Sequence, residues 1–186
     1  MKVLLFLIAI FFAVTPAFAG PFGTEMGDPP SKFEGTLNAN NVIKDAKLPK
    51  QHSAFNYYEL TFVNGGLATI LAASPDFTND RYGSGVRSTY DTLKEQLTSK
   101  YGKPVTIEQL KSGSIWNKDS EFVASIYKHE RYHGSIWNKD LGDNLIEIKL
   151  LVTATSSSNA TLAILYRYKN ATEIDKNKEK SEKDAL

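Results

Sequence analysis

Between Tyr57 and Val63, the residues Tyr58, Leu60 and Phe62 alternate with Glu59 and Thr61, the period-two pattern of a half-buried strand. Asn64-Gly65-Gly66 then supplies turn chemistry before the apolar run Leu67 to Ala73, so the stretch predicts a β-hairpin. Past it the period changes. Val86, Tyr90, Leu93, Leu97 and Tyr101 recur at spacings of three and four, predicting a helix over Ser84–Tyr101 that Gly102 and Pro104 terminate. A second helix is predicted from Glu121 to about Tyr132, capped by Asp119 or Ser120. Phe122 and Ile126 begin its apolar stripe, His129 and His133 extend it, and Gly134 ends it. Three more strands follow: a short one around Ser135–Trp137, then Leu145–Thr153 and Thr161–Tyr168, the last two joined by a Ser156–Asn159 hairpin loop. A hairpin, two helices and a meander predict an α+β domain, an antiparallel sheet of about five strands with two main helices packed on one face.

The flanks are less regular. Asp28 and the following Pro29-Pro30 start a helix well, but Gly35 stops it within about two turns. The Asn- and Lys-rich stretch to Gln51 reads as loop or irregular strand. The last fourteen residues, Glu173–Leu186, include nine charged ones and bury too little to offset ordering entropy, which predicts a solvated helix or a flexible tail.

At the amino end, Lys2 precedes the apolar run Val3–Val14, then Thr15-Pro16 and the small-x-small pattern Ala17-Phe18-Ala19. This is the layout of a secretory signal peptide cleaved between Ala19 and Gly20, too short in its apolar run for a stable membrane anchor. Residues 1–19 are therefore read as leader, 20–172 as a single α+β domain and 173–186 as the charged tail. The mature chain is expected to be periplasmic or secreted. The chain carries 22 Lys plus Arg against 21 Asp plus Glu, and loss of Lys2 with the leader makes the mature protein formally neutral. That balance argues against nucleic acid or an anionic membrane surface as the main partner. With no cysteine, it has neither disulfides nor a thiol nucleophile, although an exported protein could use both.

Two segments carry candidate chemistry. His129-Glu130-Arg131-Tyr132-His133 matches the H-E-x-x-H zinc-protease signature on a predicted helix, where two His at i and i+4 would hold zinc and Glu130 would act as general base. Lys128 and Arg131 put positive charge beside the dication, Gly134 ends the helix at once, and no further His follows to complete the ligand set. The plainer reading, which is favoured, has Glu130 and Arg131 in surface or sheet-edge ion pairs and the two His finishing an amphipathic face, with no cofactor. The second segment is a repeat: Gly113-Ser114-Ile115-Trp116-Asn117-Lys118-Asp119 recurs letter for letter as Gly134–Asp140, with unmatched flanks. Trp116 and Trp137 could be paired stacking platforms for a sugar or peptide, or simply two core or rim residues in similar turns. Nine tyrosines, Tyr57 and Tyr166 among them, could add to an exposed aromatic binding face. Phosphate loops, nucleophile elbows and paired-carboxylate signatures are absent from the sequence.

Pro21-Phe22-Gly23 with Met26-Gly27, Gly66-Leu67, Tyr82-Gly83, Tyr101–Pro104, Ser114 with Trp116, Glu130-Arg131, Trp137, the Tyr166/Tyr168 strand and the terminal Asp184-Ala185-Leu186 resemble a family of small exported proteins of Gram-negative bacteria. The similarity runs the length of the chain and implies a periplasmic address, without an activity or catalytic residues to carry over. The Glu-Arg pair belongs to that pattern; the flanking His residues do not. The family often has Cys at the positions of Ala68 and Ala171, so this chain looks like one that has lost a single disulfide. The sequence thus favours a non-enzymatic protein that binds an envelope protein or cell-wall component through its sheet face or edge, with Trp116, Trp137, Tyr57 and Tyr166 as candidate contacts. The alternatives are a small zinc metalloprotease using His129, Glu130 and His133, and a carbohydrate-binding module around the two Trp.

Overall fold

The computed structural model describes residues 20–184; the leader reading of residues 1–19 lies outside them. It shows an α+β arrangement in which seven strands form one antiparallel sheet in the order β1-β2-β3-β7-β6-β5-β4. The hairpin is β2 (Tyr57–Val63) and β3 (Gly66–Ala73), paired Leu60 to Ile70. The meander is β5 (Arg131–Trp137), β6 (Leu145–Ala154) and β7 (Ala160–Tyr168). β7 inserts beside β3, with Ala72 opposite Ile164, and so joins the two halves.

Two strands go beyond the five expected: β1 (Val42–Lys44) beside β2, and β4 (Val105–Leu110) beside β5. Three residues are too few for β1 to show a period. In β4, Val105 and Ile107 do alternate with polar residues, but the strand is nearly all exposed, so it lacks the contrast on which strand recognition depends.

α1 (Ser84–Tyr101) follows its periodicity, burying Val86, Tyr90, Leu93, Leu97 and Tyr101. Its first turn is satisfied by the Asp80 carboxylate, which accepts from the backbone N–H groups of Ser84, Gly85 and Val86 at 2.7, 2.8 and 3.2 Å. Gly83 precedes it at φ +67°, where any side chain would be strained and would overlap the Phe122 ring. α2 is much shorter than expected, Phe122–Tyr127. Both helices lie on the same sheet face: the Tyr90 hydroxyl meets Ser135 Oγ at 2.7 Å, and Phe122 packs edge-on against His133. The far half of that face is covered by the amino-terminal segment. Phe22, held at φ +54°, packs its ring against Phe55, Tyr58 and Tyr166 at 5.1–6.1 Å. The Thr24 hydroxyl and the Tyr168 hydroxyl, both buried, are 2.8 Å apart. Pro29 to Phe33 makes only a single 3-10 turn. Ala68 and Ala171 are both fully buried on adjacent segments, tied by the Asn170 side-chain amide donating to the Leu67 carbonyl at 2.9 Å.

The tail is helical: α3 spans Thr172–Asp184 and buries none of its residues. Its tie to the body is Asp175 with Arg167, alongside ion pairs within the helix such as Lys176 with Glu173. Exposed pairs of this sort are worth about 1 kcal/mol or less. Deleting Glu173–Leu186 is therefore expected to leave a cooperative urea transition displaced by no more than about 1 kcal/mol; a larger loss would show that the helix docks.

Candidate functional site

The chain reverses within the H-E-x-x-H segment. α2 stops at Tyr127, the Lys128 N–H closes the last turn on the Ala124 carbonyl at 2.9 Å, and His129 adopts φ +56°, outside helical space. The Glu130 N–H returns to the Ser125 carbonyl at 2.9 Å, and Arg131 opens β5 opposite Leu110. The helix expected to run to Tyr132 is thus five residues shorter, because pairing with β4 takes the chain that the helix would have used. His129 is exposed on the turn and His133 sits on the strand, so they do not share a helical face. Among the described residues there is no cluster of three or more His, Cys, Asp or Glu side chains able to hold a metal. Glu130 accepts a short hydrogen bond from the Ser114 hydroxyl, and Arg131 donates from Nε to Ser125 Oγ at 2.8 Å. Among the described residues neither Glu130 nor Arg131 forms a salt bridge, so the surface or sheet-edge ion pairs expected of them are not seen there.

His133 is set between Tyr90 (4.6 Å between ring centroids) and Phe122 (5.3 Å), and its Nε2 is buried without a hydrogen-bond partner. Burial holds its pKa below the ordinary 6.5; Arg87 and Lys94 push the same way, while Glu108 and Asp91 oppose. Tyr90 beside it is pushed up to about 12, mainly by burial.

The two copies of the repeat take different structures. The first leaves β4 as a loop in which Trp116 is half-buried and its N–H meets Ser114 Oγ. The second enters β5, where Ser135 satisfies Tyr90, and Trp137 is 1% exposed with Nε1 donating to the Gly102 carbonyl at 2.8 Å. Trp137 belongs to the core, and so does Tyr166, which is buried and whose pKa burial raises strongly. Neither can serve as a surface contact: both point to the helix-covered face, where the sheet's apolar residues collect. Tyr57 is on the other face, half-buried, its hydroxyl donating to Glu59 at 3.0 Å.

That other face is the feature composition could not reveal. Pairing aligns Ile107, Gly134, Leu151, Ala163, Ala73 and Tyr57 in one row across six strands. Apart from Gly134, these residues are half-buried or exposed. At the β4 end the exposed apolar side chains gather: Val105 (55% exposed), Ile107 (39%), Tyr132 (59%) and Leu151 (38%). The two sheet edges also differ. β1 is flanked by the preceding loop, through a bridge from Leu37 to Ile43, whereas among the described residues nothing pairs with the outer side of β4.

Comparison with protein-family models, with curated proteins and with solved structures finds no match for this chain.

Two measurements check this placement. Trp137→Ala removes a core indole and is expected to cost about 3–5 kcal/mol in urea unfolding, whereas Trp116→Ala, at the rim, costs about 1 kcal/mol or less. Comparable losses would mean that the repeat is one structural unit used twice. For His133, the unfolded chain takes up a proton at the ordinary pKa of 6.5 while the folded chain resists it. Stability is therefore full above that pH and falls as the solution is acidified below it. Melting temperatures at pH 7.5 and pH 5 should differ less in His133→Phe than in wild type; an unchanged difference would show that this imidazole does not govern it.

Proposed function

We propose that this protein is an exported, non-catalytic binding protein of the bacterial envelope that captures an envelope protein by strand addition at β4. The observation that carries the reading is the juxtaposition of an unpaired edge strand with exposed apolar residues on the same strand and its neighbours. Edge strands usually carry a Lys, a Pro or a bulge to prevent pairing with other chains. β4 has none of these: its one charge, Glu108, is engaged by Lys94 at 3.2 Å, and its pairing with β5 runs without interruption. Between a protein and a cell-wall glycan, the edge favours protein, because strand addition uses backbone donors and acceptors that a glycan lacks and reads alternate side chains in between. The burial of Trp137 weighs against a two-Trp sugar platform, and the turn at His129 weighs against the zinc peptidase.

Export rests on the leader pattern of residues 1–19 and on the resemblance to small exported proteins. Among the described residues, no helix is long and apolar enough to cross a membrane.

The test is a pull-down from periplasmic extract with tagged mature protein, comparing wild type with Ile107→Lys and Val105→Glu. Both substitutions place charge on exposed positions and should leave stability within about 0.5 kcal/mol. Proteins retained by wild type are expected to be lost from both variants. Retention of the same set by the charged variants would sink the edge reading.

A further inference from the structure

Where β5 and β6 part, the sheet contains an opening behind the β4 edge. The two strands pair from Trp137/Ile148 up to Gly134/Leu151 and no further. Beyond that point Arg131–His133 pair only with β4, and Val152–Ala154 only with β7. The space between is a cavity of about 270 Å³, walled mainly by apolar side chains that include Ile107, Ile126, Leu151 and Val152. The space is partly open to solvent, and an apolar guest would cover its apolar lining and gain dispersion contacts that water there does not supply. Gly134 closes the paired end of the seam tightly: a β-carbon there would lie 2.5 Å from Leu151 Cδ2 and 2.9 Å from the Leu150 carbonyl oxygen, so Leu151 packs directly on the β5 backbone.

The polar side of the cavity is unbalanced in charge. Arg131 lines it, and among the described residues no carboxylate lies within salt-bridge distance of its guanidinium. Its hydrogen bond to the described residues is the one from Nε to Ser125, and among those residues the terminal nitrogens have no acceptor. A second cation crowds it: Arg87 and Arg131 both stand over the Phe122 ring, at 5.1 and 5.3 Å from its centroid. Burial and then Arg87 lower the Arg131 pKa, with Asp119 offsetting part of this. An anion placed on Arg131 would offset the repulsion from Arg87 and find a planar, two-pronged donor that matches a carboxylate. His133, with its buried unpartnered Nε2, lines the same cavity.

We propose that the seam between β5 and β6 binds a short-chain aliphatic carboxylate, its carboxylate on the Arg131 guanidinium and its chain between Ile126, Leu151 and Val152. The cavity is at the small end of small-molecule sites, which suits one short acyl chain and not the two chains of a phospholipid. The cavity shares Ile107, Tyr132 and Leu151 with the patch beside β4, but Val105 does not line it, so Val105 variants separate this inference from the β4 reading.

Isothermal titration with octanoate, hexanoate and octanol tests it on the mature protein. One octanoate is expected per chain, binding more tightly than hexanoate by about fourfold for each added methylene. Octanol should bind at least tenfold more weakly than octanoate. Arg131→Gln should abolish the preference for octanoate over octanol, and Leu151→Trp, which crowds the seam, should weaken both. Should Arg131→Gln fail to give a cooperative melt, Arg131→Lys keeps the charge without the fork and is expected to bind octanoate more weakly while still preferring it. Val105→Glu should bind octanoate as wild type does, whatever its effect on protein capture. No octanoate binding at millimolar concentration, equal binding of octanol, or unchanged preference in Arg131→Gln would each overturn the proposal.

Discussion

The pairing of β7 on both of its sides is the constraint on which the rest of the molecule depends. β7 is the last strand in the sequence yet lies in the middle of the sheet, with β3 on one side and β6 on the other. One face of it, Leu162, Ile164, Tyr166 and Tyr168, is buried along its length and supplies the floor on which Phe22 and α1 pack. Without it the β2–β3 hairpin and the β4–β5–β6 meander would be two small half-sheets, neither able to bury enough surface to stand alone. The β3–β7 pairing joins segments far apart in sequence, so its loop-closure entropy must be offset by the contacts it makes.

Once β7 is seated, the two faces have different fates. The large apolar strand residues that meet α1, α2 or the amino-terminal segment turn to one side, and among the described residues no helix covers the other. α3 leaves the sheet with none of its residues fully buried, Glu173 and Ile174 being half-buried, and is tied back by the Arg167–Asp175 pair. The open face is consequently a mixed surface, polar in its middle, where Lys149, Glu147 and Arg167 are joined by ion pairs, and apolar toward β4. The end without cover is also the end with the unpaired edge and the seam, and that coincidence is why both binding proposals converge on the same third of the molecule.

The local sequence is outvoted twice, and for the same reason. The seven-residue repeat adopts a loop at its first occurrence and a strand at its second, because the second lies between two strands able to pair with it while the first follows β4 into solvent. The His129–His133 segment extends a helical stripe on paper, but its carboxy-terminal half is claimed by β4, and the left-handed turn at His129 is the cost of changing from one element to the other. A short helix offers few hydrogen bonds per residue ordered, so the six-residue pairing of β5 with β4 prevails over it.

Periodicity alone determined the α1 helix to its ends, the β2–β3 hairpin, the positions of β6 and β7, and the α+β class, because each of these elements buries one face and shows the contrast between buried and exposed positions. The tail's solvation was legible for the complementary reason: it has almost nothing to bury. Tertiary structure alone decided the rest. β1 and β4 exist because neighbouring strands offer them partners, with β4 too exposed and β1 too short to carry a pattern. Trp137 and Tyr166, which as residue types could equally be surface aromatics, are placed in the core by the parity of their strands. Arg131 and His133 come to line one cavity only because β5 leaves β6 at Gly134, and that divergence depends on pairing registers and on α2 beneath them, which no local spacing encodes.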